Sequence, residues 1–315
     1  MDKRAKVVVV GMGGVGSACA FSLLLHNVPR EMVLIDVNKD KAKGEAMDLN
    51  HAVSLLHPTE IYDGEYEDCK DADIIVITAG IKQKPGQTRL DLLNTNSKLM
   101  KGIIQGIMPY LAPHAILLIV SNPVDILTYL ALKMSKLPAN RVIGSGTLLD
   151  SSRIKFVLGE YLSINPGSIQ SYVIGEHGDS EVAAWSLSRI GGVPVQQLIQ
   201  QKDPSNYKKR LEQFHQQVRD AAGEIIKAKG ATAYGIAVSV TRIVEAILRD
   251  ENSVLPISSL IEDHLGVKDV CLSLPSVVGQ QGVKKILPVK LADEELNQFK
   301  KSADLIKEMI SKIEF

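Results

Sequence analysis

The sequence predicts an α/β protein, with an N-terminal doubly wound parallel sheet followed by a C-terminal α+β domain. Three observations predict it. A β-branched run, Lys6-Val7-Val8-Val9-Val10, leads directly into Gly11-Met12-Gly13-Gly14-Val15-Gly16 and then into Val15, Ala18, Phe21, Ser22 and Leu25 at helical spacing. Short apolar runs then alternate with helical patterns down to about residue 160, as βαβ units do. Beyond that point the alternation stops, and long amphipathic helices precede strand-like runs near the end. A chain of 315 residues exceeds one ordinary core and suits two domains, expected at 1–145 and 146–315.

The composition narrows the class. Apolar content of 45% with 23% charged residues describes a globular chain, and a formal net charge of +0 argues against a nucleic-acid surface or a polybasic membrane patch. No apolar run approaches the length that spans a bilayer. Met1-Asp2-Lys3-Arg4 runs straight into a strand with no room for a signal peptide, so a cytoplasmic location is the expectation. Cys19, Cys69 and Cys271 are far apart and odd in number, which fits reduced thiols and gives no metal-ligand spacing.

The glycine turn carries the first chemistry. Gly11 permits the tight turn, Gly13 lets a pyrophosphate approach the backbone, and Gly16 lets helix and strand pack closely. The helix N-terminus offers N–H groups to phosphates. A second apolar run, Met32-Val33-Leu34-Ile35, ends in Asp36, twenty positions after Gly16, where a carboxylate can bind ribose hydroxyls. Strand, turn, helix and acid together read as a dinucleotide site of the Rossmann type.

The remaining elements follow in order. A helical pattern spans about 38–54, Ile61 marks a short strand, and Ala72–Ile77 is another strand, ending in Thr78-Ala79-Gly80. The polar segment Lys82-Gln83-Lys84-Pro85-Gly86-Gln87 precedes a long helix to about Tyr110. Ala115–Val120 is a strand ending in Ser121-Asn122, and Pro123 fits the first position of the next helix. Val142-Ile143 leads to Gly144-Ser145-Gly146, and a helix starts near Leu149-Asp150. Gly11, Asp36, Gly80, Asn122 and Ser145 each follow the end of a parallel strand. They therefore share the sheet edge where ligands of open α/β folds bind.

In the second half Ile169–Ile174 reads as one strand, and Asp203-Pro204 as the cap of a long helix carrying Leu211, Phe214, Val218, Ala222 and Ile225 on one face. Lys229-Gly230 ends that helix, and another spans Ala233–Leu248. Runs near 254–261, 269–274 and 285–289 suggest a smaller antiparallel sheet. The last helix begins near Ala292, and its stripe from Leu296 to Ile313 reads as core or subunit interface. Among seven histidines His177 stands apart, flanked by Glu176 and Gly178 directly after a strand. By residue type alone it is as well a turn histidine as a catalytic one. The other six read as surface or packing residues.

Six stretches carry a resemblance along essentially the whole chain: Gly11–Gly16, Thr78–Arg89, Ser121-Asn122-Pro123-Val124-Asp125, Gly144–Arg153, Gly175–Asp179 and Lys229–Ile236. The chain resembles the NAD-dependent L-lactate and malate dehydrogenase family. The resemblance implies NAD as cofactor and hydride transfer between it and a small 2-keto or 2-hydroxy acid. It implies His177 as acid/base, Asp150 as its carboxylate partner, and Arg153 as clamp for the substrate carboxylate. Arg89 would polarise the reacting carbonyl from a mobile loop, Asn122 would bind the same oxygen, and Thr232 would line the pocket. Val15, Asp36, Lys41, Tyr66, Gly80, Ile81, Val120, Ser145 and Ile236 match positions around the cofactor, beside Gly11, Gly13 and Gly16. It also implies a homotetramer.

Within the family, the closing-loop residue Gln83 decides between substrates. Malate enzymes carry arginine there to pair with the distal carboxylate, so neutral Gln83 favours lactate, with malate the alternative. Many bacterial relatives bind a sugar bisphosphate through an arginine and a histidine. Those positions are Lys155 and Gln170 here, which puts such activation in doubt. Two other classes stay open: an idle NAD-binding sensor, against which Asp150, Arg153 and His177 argue, and an NAD-dependent glycosidase, which needs a metal site.

Overall fold

The computed structural model describes residues 5–81 and 89–313, with Arg89 described by its main chain. The first half folds as β1 (Lys6–Val10), α1 (Gly14–Leu25), β2 (Glu31–Ile35), α2 (Lys39–Val53), β3 (Glu60–Asp63), β4 (Ile74–Ile77), α3 (Arg89–Ile107), β5 (Ile116–Ile119), α4 (Val124–Ser135) and β6 (Val142–Gly144). These strands run parallel in the order β3-β2-β1-β4-β5-β6. Helices cover both faces, so Val7, Val8, Val9, Ile74, Ile75 and Leu117 are fully buried. That is why these strands read as unbroken apolar runs with no alternation.

The strand order reverses between β1 and β4, and a crevice opens at the carboxyl ends there. Gly16 makes the crevice possible. A Cβ on it would stand 1.9 Å from the Gly11 carbonyl oxygen and 2.8 Å from Thr78 Oγ1, so only glycine lets α1 rise directly from the turn.

The second half comprises α5 (Leu148–Leu162), β7 (Ile169–Gln170), β8 (Val173–Ile174), β9 (Val182–Ala183), β10 (Arg189–Ile190), β11 (Val193–Pro194), α6 (Val195–Lys202), α7 (Tyr207–Lys229), α8 (Tyr234–Leu248), β12 (Ser253–Ile261), β13 (Val270–Gly279), β14 (Gly282–Ile286) and α9 (Asp293–Ser311). Four features differ from the sequence reading. Ile169–Ile174 is two strands, because Ser171 leaves the ladder and its buried hydroxyl meets Ser188 Oγ at 2.8 Å. Asp203 does not cap α7; it accepts from Asn206 Nδ2 and Arg210, while α6 precedes it with Val195 and Ile199 buried. Pro123 stands one residue before α4, following a cis peptide from Asn122.

The fourth difference concerns the sheet. Strands β12–β14 are antiparallel as expected, yet they extend the parallel sheet to nine strands among the described residues instead of forming a sheet of their own. The join is Ser258 of β12 opposite Gly144 of β6. A Cβ at Gly144 would lie 2.5 Å from Thr128 Oγ1 and 3.0 Å from Ser258 Cβ, so the missing side chain lets the strands meet. The sheet therefore crosses the expected boundary at 145/146.

Gly16→Ala is expected to cost about 3 kcal/mol in denaturant unfolding, since the turn must shift to admit the methyl. Gly14→Ala, where a Cβ meets nothing within 4 Å, is the control and should change stability by no more than about 1 kcal/mol. Equal effects at the two positions would contradict this packing account.

Candidate active site

The crevice between β1 and β4 is a cleft of about 340 Å³. Gly11, Gly13, Asp36, Lys41, Tyr66, Gly80 and Ile81 line it, together with Thr78, Leu99 and Ile103. Gly11 turns the chain with φ +99°, and a Cβ at Gly13 would meet no protein atom, so the space above the turn is free. Asp36 accepts from Met12 N at 2.6 Å and from Asn38 N at 2.9 Å, which ties the acid to the glycine turn. Gly16 lies beneath the turn, Val120 and Ser145 are buried at the ends of β5 and β6, and Val15 and Ile236 are half-buried on α1 and α8. Those five do not line this cleft.

Asn96 on α3 was not singled out as a site residue by sequence reasoning. Its buried amide accepts from Ile81 N at 2.9 Å and donates to Asn122 O at 2.8 Å and Ile81 O at 3.3 Å. One side chain thus fixes the loops after β4 and β5, and with them Asn122. Its one sequence signal is an amide at a buried helical position.

The second cluster surrounds His177. Its Nδ1 lies 2.6 Å from Asp150 Oδ2, and Arg153 Nη1 donates to Asp150 Oδ1 at 2.8 Å. Asp150 and Arg153 occupy successive turns at the start of α5 and therefore share a face. His177 follows Gly175, whose main chain exchanges two hydrogen bonds of 2.9 Å with Ser273 of β13. Arg153, expected as the clamp for a substrate carboxylate, has one of its nitrogens on Asp150.

Electrostatics follow from this arrangement. The Asp150 carboxylate beside His177 raises the imidazole to a pKa of about 9, against burial, which lowers it; Asp125 and Glu181 add to the rise. Burial pushes Asp150 up, but His177 and Arg153 outweigh it and hold the carboxyl below its usual range. Asp125 is also buried, and burial pushes it up to about 6. Burial likewise raises Glu181, opposed by His215, whose Nε2 lies 3.3 Å away. Reading His215 as surface or plain packing is thus corrected: α7 turns it inward onto an acid four residues after His177.

Thr232 is half-buried between the end of α7 at Gly230 and the start of α8. A Cβ on Gly235 would meet Leu149 Cδ1 at 2.8 Å, so this connection packs against the start of α5, next to Asp150. Arg89 is the first residue of α3. Gln83, with Lys82, Lys84, Pro85 and Gly86, lies outside the described residues. Lys155 is half-buried on α5, where burial lowers its pKa, and Gln170 is exposed on β7.

Comparison with known proteins gives the family. Residues 5–144 match the NAD binding domain of lactate/malate dehydrogenase, and residues 147–315 match its alpha/beta C-terminal domain. The chain belongs to the lactate/malate dehydrogenase family. It is 48% identical to an L-lactate dehydrogenase of Acetivibrio thermocellus, over 98% of this chain and 97% of that one. Identity to L-lactate dehydrogenase 1 of Clostridium acetobutylicum is also 48%, over 99% of this chain and 100% of that one. Among solved structures, the minor L-lactate dehydrogenase from Enterococcus mundtii in the ligands-bound form superposes with a TM-score of 0.94 at 40% identity, covering 99% of each chain. The cleft at the β1/β4 switch point lies in the family's NAD-binding domain, and its glycine turn and Asp36 fit that cofactor.

Asn96→Ala is expected to lower unfolding stability by about 2 kcal/mol, because it leaves main-chain groups of two loops without their partner. The neighbouring exposed Asn94→Ala should stay within about 0.5 kcal/mol. Urea unfolding of both variants checks this, and an Asn96→Ala midpoint equal to that of wild type would contradict it.

Proposed function

We propose that the chain is an NAD-dependent L-lactate dehydrogenase that interconverts pyruvate and L-lactate. The observation that carries this reading is the shared Asp150 carboxylate, which holds His177 and Arg153 side by side. NADH, when bound, supplies a hydride to the substrate's carbonyl carbon. The chain supplies the proton, the charge balance and the orientation.

His177 donates the proton. Asp150 occupies Nδ1, so Nε2 faces the substrate, and a pKa of about 9 keeps the imidazole charged at neutral pH. In the reverse direction the neutral imidazole takes the proton from the lactate hydroxyl, so oxidation gains as pH rises towards that value. Arg153 pairs its remaining nitrogens with the substrate carboxylate. Arg89, at the start of α3, and Asn122 stabilise charge on the reacting oxygen, and Thr232 lines the pocket wall.

The cofactor is NAD, not its 2′-phosphate, because Asp36 would repel a second anion on the ribose and Val37 offers no cation. Val15, Lys41, Tyr66, Gly80, Ile81, Val120, Ser145 and Ile236 surround it in this reading. Regulation by a sugar bisphosphate is not part of it, since Lys155 lacks arginine's fork and Gln170 cannot be a cation. The protein acts as a cytoplasmic homotetramer. Apolar side chains left exposed on two adjoining helices support association: Phe21 and Leu25 on α1, Tyr234 and Val238 on α8. Cys19, Cys69 and Cys271 are buried and unpaired, as suits a reducing compartment.

Pyruvate is preferred to oxaloacetate because neutral Gln83, where malate enzymes carry arginine, offers no cation to a distal carboxylate. Gln83→Arg would pair with a distal carboxylate and would be left desolvated by pyruvate, each effect being worth about 2–4 kcal/mol. The ratio of kcat/KM for oxaloacetate over pyruvate is expected to rise on the order of a thousandfold. Both substrates are measured on both proteins at one pH and saturating NADH. A wild type that favours oxaloacetate, or a mutant ratio within about threefold of wild type, would overturn the lactate reading.

A further inference from the structure

Three successive main-chain N–H groups hold the His177 segment. Gly175 N donates to Ser273 O on β13 at 2.9 Å, and Glu176 N donates to Ser302 Oγ on α9 at 3.0 Å. His177 N donates to Asp125 Oδ2 at 2.7 Å. The third bond differs in kind, since its acceptor is a carboxylate. It also differs in origin: Asp125 lies in the first turn of α4, within the NAD-binding half. The other Asp125 oxygen accepts from Ser258 Oγ of β12 at 2.6 Å, at the residue that joins the two parts of the sheet opposite Gly144.

We propose that Asp125 is a positioning residue for His177, fixing its main chain from the NAD-binding half and adding a second negative charge to that of Asp150. The proposal rests on His177 being the proton donor. The histidine is then held at both ends by carboxylates from different halves of the chain, Asp150 at Nδ1 and Asp125 at the peptide nitrogen. Asp125 is 2% exposed, so a carboxylate there is costly unless its hydrogen bonds and nearby charges offset burial. The start of α4 contributes, because a helix N-terminus favours an acid in its first turn. A buried acid spent on one loop nitrogen and one serine is poor economy for stability alone. It makes sense where the loop must be aimed within a fraction of an ångström and its imidazole kept protonated.

Other charged groups also face this pair. Asp150 and Arg153 approach His177 from α5. Glu176 and Glu181 lie on its own segment, Glu181 being paired with His215 of α7. The Cys271 thiol of β13 feels the Asp125 charge. Asp125→Asn separates these contributions, since the amide oxygen can still accept from His177 N while the charge is gone. Asp125→Ala removes both.

The test is the pH profile of kcat/KM for pyruvate at saturating NADH. In Asp125→Asn the alkaline limb, which reports loss of the His177 proton, is expected to move to lower pH by about half a unit or more. In Asp125→Ala kcat should fall by about tenfold or more while KM for NADH stays within about twofold. An unmoved limb in the first variant, or wild-type kcat in the second, would overturn the proposal. A second measurement needs no variant at this position. In wild-type protein labelled with [15N]histidine, the His177 amide, assigned by its loss in His177→Gln, should titrate at about 6 with Asp125. An amide unmoved between pH 5 and 7 would overturn the proposal even if the variants failed to fold. A wild type that reduces no pyruvate would overturn the functional reading instead, and leaves the amide titration as the test of the contact.

Discussion

The Asp150 carboxylate, buried and shared between His177 Nδ1 and Arg153 Nη1, is the constraint on which the rest of the structure depends. An isolated carboxylate at that depth would take up a proton. Two cations, His177 and Arg153, hold it ionised. The same bond holds His177 protonated, and it links protonation to folding. The folded-state pKa is raised to about 9 from 6.5, so the stability this pair contributes is complete below pH 6.5 and is lost as pH rises through 9.

Much of the architecture positions that cluster relative to the sheet edge that holds the cleft. Asp150 and Arg153 rise from the start of α5, immediately after the last parallel strand, so they begin at the sheet edge where the cleft opens. His177 arrives from the second half on a segment pinned by β13 and α9. The β12–β14 strands continue the parallel sheet, so both halves share one sheet. Asn96 performs the corresponding task on the other side, clamping the loops that carry Ile81 and Asn122.

Much of this was legible in the sequence, for reasons that are local. β1, β4 and β5 are buried on both faces and therefore appear as apolar runs, and the turn Gly11–Gly16 is dictated by steric closeness that only glycine meets. Asp36 is legible because it directly follows a strand, and His177 because it stands among glycines just beyond one. What was missed depends on partners distant in the chain. Nothing near Ser171 shows that Ser188 will draw it out of a strand, and nothing near Gly144 shows that Ser258 will come alongside. Asp125, Glu181 and His215 look like ordinary polar residues on helices and loops until the fold sets Asp125 on the His177 main chain and pairs Glu181 with His215. α6 escaped notice because its buried residues, Val195 and Ile199, span a single turn.

The central claim, that Asp150 sets the protonation of His177, is tested most directly by NMR titration of the His177 imidazole in the ligand-free protein. The account predicts a wild-type pKa of about 9. In Asp150→Asn the opposing effect of burial takes over, and the value should fall to 6.5 or below. A wild-type imidazole titrating near 6.5 and unmoved in Asp150→Asn would contradict it.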